Sequence, residues 1–161
     1  MATTKRESIL NAIIGKIANI DGTGTYHNTL VAAQYTASYK DISQVATGNM
    51  PFICLYPGPS NYVPLTAEEY TSGETAQSLD GWLISIIAYI QKDTDEQNKN
   101  GMEELIADII TAIETDPHLG LPTYVHNTTL QSIFPFLDVH ENITVVQINF
   151  LIKYDFPRIT P

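Results

Sequence analysis

The chain has 161 residues, 43% of them hydrophobic, with 18 acidic against 8 basic side chains and a formal charge of −10. That length suits a single domain over residues 1–161, able to hide roughly 70% of its unfolded surface without the help of a disulfide or metal. The scattered Lys and Arg residues exclude a nucleic-acid reader, which needs concentrated positive charge, and the one cysteine, Cys54, excludes an internal disulfide.

The N-terminus interrupts its apolar positions with Glu7, Asn11 and Lys16, unlike the continuous core of a signal peptide. Thr4 and Glu7 stand at capping-box spacing and open a helix whose stripe is Ile9, Leu10, Ile13, Ile14, Ile17 and Ile20. Asp21, Gly22 and Gly24 end it. Residues 31–40 then alternate, with Val31, Ala33, Tyr35, Ala37 and Tyr39 on one side, which predicts a half-buried strand.

A short apolar run, PFICLYP from Pro51, predicts a second strand stopped by Pro57-Gly58-Pro59, with Cys54 as a small buried hydrophobe. A long loop or extended hairpin arm follows over about 57–78, polar and rich in Pro, Thr, Tyr and Glu. Loops of that length in compact domains are often functional. Residues 82–91, WLISIIAYIQ, are apolar on both faces, as expected of a central strand. The longest uncharged apolar run, residues 81–90, falls far short of the roughly 20 that a membrane helix needs, so the chain is expected to be soluble and made in the cytoplasm, with no membrane partner.

After the linker DTDEQNKNG, a second helix is predicted with Met102, Leu105, Ile106, Ile109, Ile110 and Ile113 inward and Glu103, Glu104, Asp108 and Glu114 in water. Asp116-Pro117 closes it. The last strand places Thr144, Val146, Ile148, Phe150, Ile152 and Tyr154 on one face. A segment from about Leu130 to Val139 pairs with it across His140-Glu141-Asn142, confined to an edge or a bulge by Pro135. The fold class is therefore α+β, in the order α-β-β-β-α-β-β. Its sheet has four or five strands, mixed or mainly antiparallel, with two amphipathic helices packed on it.

Motifs for chemistry are weak. Asp93, Asp95, Gln97 and Glu104 match the first, third, fifth and twelfth positions of a calcium loop, but Asn98 stands where the sharp turn calls for Gly, so a solvated acidic linker is the better reading. His27, His118, His126 and His140 are scattered and suggest no metal face. The glycines of DGTGT follow a helix where a phosphate loop would open one. No metal or cofactor is expected. The nine tyrosines include Tyr26, Tyr56, Tyr62, Tyr70 and Tyr124 in loops or at strand ends, where large amphipathic rings suit protein contacts.

The segments RESILNAIIGKIANI, PFICLYP, GWLISIIAYIQ, MEELIADIITAIETD followed by HLG, and ITVVQINFLIKYDF, in that order, give the chain its family likeness. It resembles the tail terminator, or tail-completion, proteins of tailed bacteriophages. The resemblance implies a virion protein that assembles in the host cytoplasm into a ring, a hexamer, on the head-proximal end of the tail. Its implied partners are further copies of itself, the tail tube protein and the head connector. The ring would stop tube growth, and genomic DNA would pass through it without sticking, as an acidic surface favours.

On this reading the arm between Pro57 and Ser78 reaches a neighbouring subunit or the tube, with Tyr62 and Tyr70 as anchors. No catalytic residue is named, and the protein is expected not to be an enzyme. The alternatives are another neck or connector component, an adaptor domain, or a small acidic ligand-binding domain or enzyme using Asp138, His140 and Glu141. Those three polar residues are more simply explained as turn chemistry.

Overall fold

The computed structural model describes residues 3–64, 78–91, 95–140 and 143–156. Helix α1 runs over Lys5–Ile17. Its first turn is closed by the expected reciprocal pair: the Glu7 N–H donates to Thr4 Oγ1 at 3.1 Å, and the Thr4 N–H donates to Glu7 Oε2 at 2.8 Å. Thr4→Ala is expected to cost about 1 kcal/mol, measured by urea unfolding. Hydrogen bonding from Thr4, its backbone N–H first and its side chain second, holds the Glu7 carboxyl below the usual range. Their contribution is present at neutral pH and is lost as the pH falls through that lowered value.

Five strands form one sheet: β1 Tyr35–Thr36, β2 Phe52–Pro64, β3 Ser78–Gln91, β4 Val125–His140 and β5 Ile143–Phe156. Their spatial order is β1-β2-β3-β5-β4, with β1 parallel to β2 and the other pairs antiparallel. Helix α2, Asp95–Glu114, lies on the same side of the sheet as α1. Between the two layers sits the main core: Ile9, Ile13 and Ile17 of α1, Leu105 and Ile109 of α2, and Ile84, Ile86, Ile148, Phe150 and Ile152 of the sheet. The period-2 pattern of β3 and β5 and the 3.6 pattern of the helices explain this layering directly. Pro135 sits opposite Val146 on β4, an edge strand, as its missing donor requires.

Four details differ from the sequence expectations. The alternating segment 31–40 contains only the two-residue β1. Ahead of it Ala32–Gln34 turn as a 3-10 helix, in which the Val31 N–H donates to Gln34 Oε1 at 2.9 Å. Pro57-Gly58-Pro59 does not stop β2, which continues to Pro64 through a register shift between Pro57 and Ser60. Glycine is required there, because a Cβ on Gly58 would lie 2.8 Å from the Leu83 carbonyl oxygen. Of the two readings of 57–78, the extended hairpin arm therefore describes the part up to Pro64 and from Ser78, where β2 and β3 pair, and residues 65–77 lie outside the described residues.

The other two differences concern α2. It begins at Asp95, so the acidic linker is largely helical and most of the supposed calcium loop is part of the helix. Asp108 is not on the wet face. It is 1% exposed, turned toward the segment after α1, where its carboxylate accepts from the His27 N–H at 2.9 Å and from the Asn28 N–H and Nδ2 at 2.8 Å each.

Candidate functional site

Because both helices pack on one side, the other side of the sheet is left to loops. One end of it is covered by residues 42–50, whose Ile42, Val45 and Met50 pack on Phe52, Cys54, Tyr89 and Ile143. The Lys40 carbonyl ties that cover down, accepting from Tyr89 Oη at 2.7 Å and from Cys54 Sγ at 3.6 Å. Burial pushes both the Tyr89 phenol and the Cys54 thiol up from their ordinary values, so both stay protonated as donors, and Cys54 is an inert core group.

Beyond that cover the face is open among the described residues, and the strand registers order it into rows. One row is Tyr56, Ser85, Asn149 and Ser132; the next is Cys54, Ile87, Gln147 and Phe134. The centre is a hydrogen-bonded ladder across three strands. Ser85 Oγ donates to Asn149 Oδ1 at 2.6 Å, and Asn149 Nδ2 donates to Ser132 Oγ at 2.9 Å. Gln147 Nε2 donates to Ser85 Oγ at 3.2 Å and to Asn149 Oδ1 at 3.0 Å. Ser85 and Asn149 are only 4% and 6% exposed, and each is satisfied within the ladder. The partners of both serines in the ladder are amides, which are too weakly basic to take a proton from a hydroxyl.

Aromatic rings flank it. Tyr39 and Tyr56 meet edge to face, centroids 5.3 Å apart, and wall a groove of about 510 Å³ over Leu83, Ser85, Ile87 and Gln147. A smaller groove, about 240 Å³, continues from Tyr39 past Asp41 to Val145. Phe134 stands on the opposite edge strand. Tyr39, Tyr56 and Phe134 are 44%, 52% and 48% exposed, and they make up three of the four large hydrophobic side chains most exposed among the described residues. Such clustering marks contact surfaces.

Of the residues singled out from sequence, Tyr62 has its backbone in β2 opposite Asp80, and its side chain lies outside the described residues. Tyr70 lies outside them altogether. Tyr56 is on the open face, whereas Tyr26 and Tyr124 pack against the main core, Tyr124 beneath Lys5 Nζ at 5.2 Å. Asp138 and His140 lie at the end of β4 with side chains outside the described residues, as is all of Glu141. His126 pairs with Asp155 at 2.7 Å, and His118 Nδ1 is 2.9 Å from the Val125 carbonyl oxygen. Among the described residues no group of three His, Cys, Asp or Glu side chains is placed to hold a metal. Sequence reasoning missed Phe134, an apolar residue in a strand, and placed Tyr39 on the wrong kind of element.

The described part of this face is thus a polar ladder flanked by exposed aromatic rings, a surface suited to contact with another protein. A family model described as Bacteriophage Tail Tube Terminator Protein matches residues 3–128, from α1 into the start of β4. The chain belongs to this family. This terminator-family protein is therefore a structural component of the phage tail and a virion protein. No described helix is long and apolar enough to cross a membrane. Among solved structures, a chain titled as the virion of a native gene transfer agent particle is 12% identical, covering 91% of this chain and 94% of that one with a TM-score of 0.44. No curated protein matches.

Proposed function

We propose that the protein closes into a ring, a hexamer, on the head-proximal end of the tail tube, stops its polymerisation and offers the docking surface for the head connector. Family membership supplies the tail; the observation that carries the finer reading is the open sheet face. A ring needs heterologous contacts, one patch on each subunit docking onto a different patch of the next. The open face ends in a groove at one side and an exposed aromatic ring at the other. The net charge of −10 suits a lumen through which DNA slides without adhering. In this reading the segment between Pro57 and Ser78, with Tyr62 and Tyr70 as anchors, reaches the neighbouring subunit or the tube.

The test is polymerisation of the phage's own tube protein with and without this chain, followed by electron microscopy. Added protein is expected to leave tubes of limited length with a disc of density at one end. Tubes that elongate unchanged, with both ends bare, would sink the proposal. Replacing residues 65–77 with a short turn keeps the strand pairs up to Pro64 and from Ser78. If the segment is an anchor, that variant stays folded but no longer caps tubes.

A further inference from the structure

We propose that Phe134 of one protomer packs into the Tyr39 and Tyr56 groove of the next copy, making the two edges of the sheet the contact between successive subunits. This inference rests on the ring reading and assigns its contact to named side chains.

Phe134 and Tyr56 lie on adjacent rows of the same face, on β4 and β2, with β3 and β5 between them. At about 4.8 Å per strand step they stand roughly 14 Å apart, so they cannot meet within one chain. One is a single ring standing out from the outermost strand. The other belongs to an edge-to-face aromatic pair that walls a groove floored by Leu83 and Ile87, large enough for a phenyl ring. The polar ladder between them is satisfied internally, so what remains to be gained from a partner is burial of the apolar flanks. A two-fold contact would use the same knob and hole twice and stop at a dimer, whereas a head-to-tail contact uses each once and repeats, as the ring reading requires.

Charge points the same way. Residues 52–64 of β2 contain no Asp, Glu, Lys or Arg, and β4 contains one, Asp138 near its end, in a chain with 18 acidic and 8 basic residues. Monomeric proteins usually set charges, above all Lys, on edge strands to keep other chains away. Neither strand carries a Lys, and with a single carboxylate between them the two can meet in an otherwise strongly acidic protein with little like-charge repulsion. Both carry prolines, Pro57 and Pro59 on β2 and Pro135 on β4, which offer no N–H for a continuous backbone ladder. Side-chain packing over the edge is therefore the mode of contact, and a second copy is the one partner that supplies the matching half.

The experiment is disulfide trapping in a Cys54→Ala background, with the protein both free at high concentration and bound to tail tubes. Tyr56→Cys combined with Phe134→Cys is expected to give a ladder of covalent multimers on mild oxidation, and each single variant to stay monomeric. Dimers from either single variant, or no ladder from the pair in either state, would overturn the contact. Charged variants give a second readout. Phe134→Lys and Tyr56→Glu are each expected to lose self-association and capping at least tenfold. An equimolar mixture of the two is expected to regain them, because alternating subunits then set the introduced ammonium of one against the introduced carboxylate of the next. A mixture as inactive as its components counts against the proposal. If the unsubstituted protein caps tubes but does not cross-link through these positions, this contact falls and the ring reading stands. If it fails to bind tubes at all, the ring reading falls first.

Discussion

Replacing Trp82 with Ala is expected to lower folding stability by about 4 kcal/mol, seen as a reduced urea midpoint with an unchanged slope. The side chain is 1% exposed and is one of the largest groups in the main core. It also performs two tasks that a simple hydrophobe would not. The Arg6 guanidinium lies 3.8 Å from the ring centroid, joining the first turn of α1 to β3. The indole Nε1–H donates to the Gly58 carbonyl at 3.1 Å, where β2 shifts register. Arg6 Nη1 in turn donates to Ser60 Oγ at 2.7 Å, so α1, β2 and β3 meet at this residue.

Truncation to Ala removes the packing, leaves the Gly58 carbonyl without that donor and frees Arg6 from the ring, and the larger part of the loss is the packing. Trp82→Phe separates the contributions. It keeps an aromatic face under Arg6 and loses the indole donor and some volume, so a cost of about 1–2 kcal/mol is expected. If Trp82→Ala cost less than about 1 kcal/mol, Trp82 would not be the junction of these elements.

The elements that were legible in the sequence are those whose signals are local. The Thr4 and Glu7 pair names its own geometry, and the stripes of α1 and α2 repeat every three to four residues, so their inward faces could be read from spacing alone. The hairpin of β4 and β5 followed from a turn cluster between two alternating runs, and Pro135 placed β4 on an edge because a central strand cannot spare an N–H. Alternation failed at 31–40, where the inward set leans on Ala and the Gln34 side chain bonds back to the Val31 N–H, a local competitor to the strand ladder. Pro57-Gly58-Pro59 reads as a terminator, yet β1 pairs only with Ile53 and Cys54, so beyond them that side of β2 has no partner strand and the missing donors cost little, and Gly58 admits the close approach of Leu83.

The candidate site was the least legible part, for a physical reason. Tyr39, Tyr56 and Phe134 belong to three segments far apart in sequence, and only the strand order puts them around one face. The Ser85, Asn149, Gln147 and Ser132 ladder is likewise made by register between three strands. Its members look like ordinary polar residues on the wet side of an amphipathic strand until the pairing is known.

Asp108→Ala is the other substitution expected to have a large effect, about 3 kcal/mol by urea unfolding. Helical periodicity alone placed this residue in water, and a carboxylate there would be worth little. Instead it is buried and receives three donors from His27 and Asn28, more than 75 residues away in the chain. Hydrogen bonds to a charged acceptor are worth about 1.5–3 kcal/mol each in favourable cases, and they do not add fully when they share one acceptor group.

Removing the carboxylate leaves two backbone N–H groups and an amide without their acceptor, and it releases the segment that connects α1 to β1. Amide hydrogen exchange at His27 and Asn28 should then accelerate toward the rate of an open loop, while amides in the centre of β3 change only with global stability. Asp108→Asn is the discriminating variant. It keeps the shape and one acceptor oxygen but turns an NH₂ toward donors, so it should lose much of what Ala loses although its volume is unchanged. If Asn were instead as stable as the original residue, Asp108 would be acting through its shape and not as an acceptor for the 27–28 backbone.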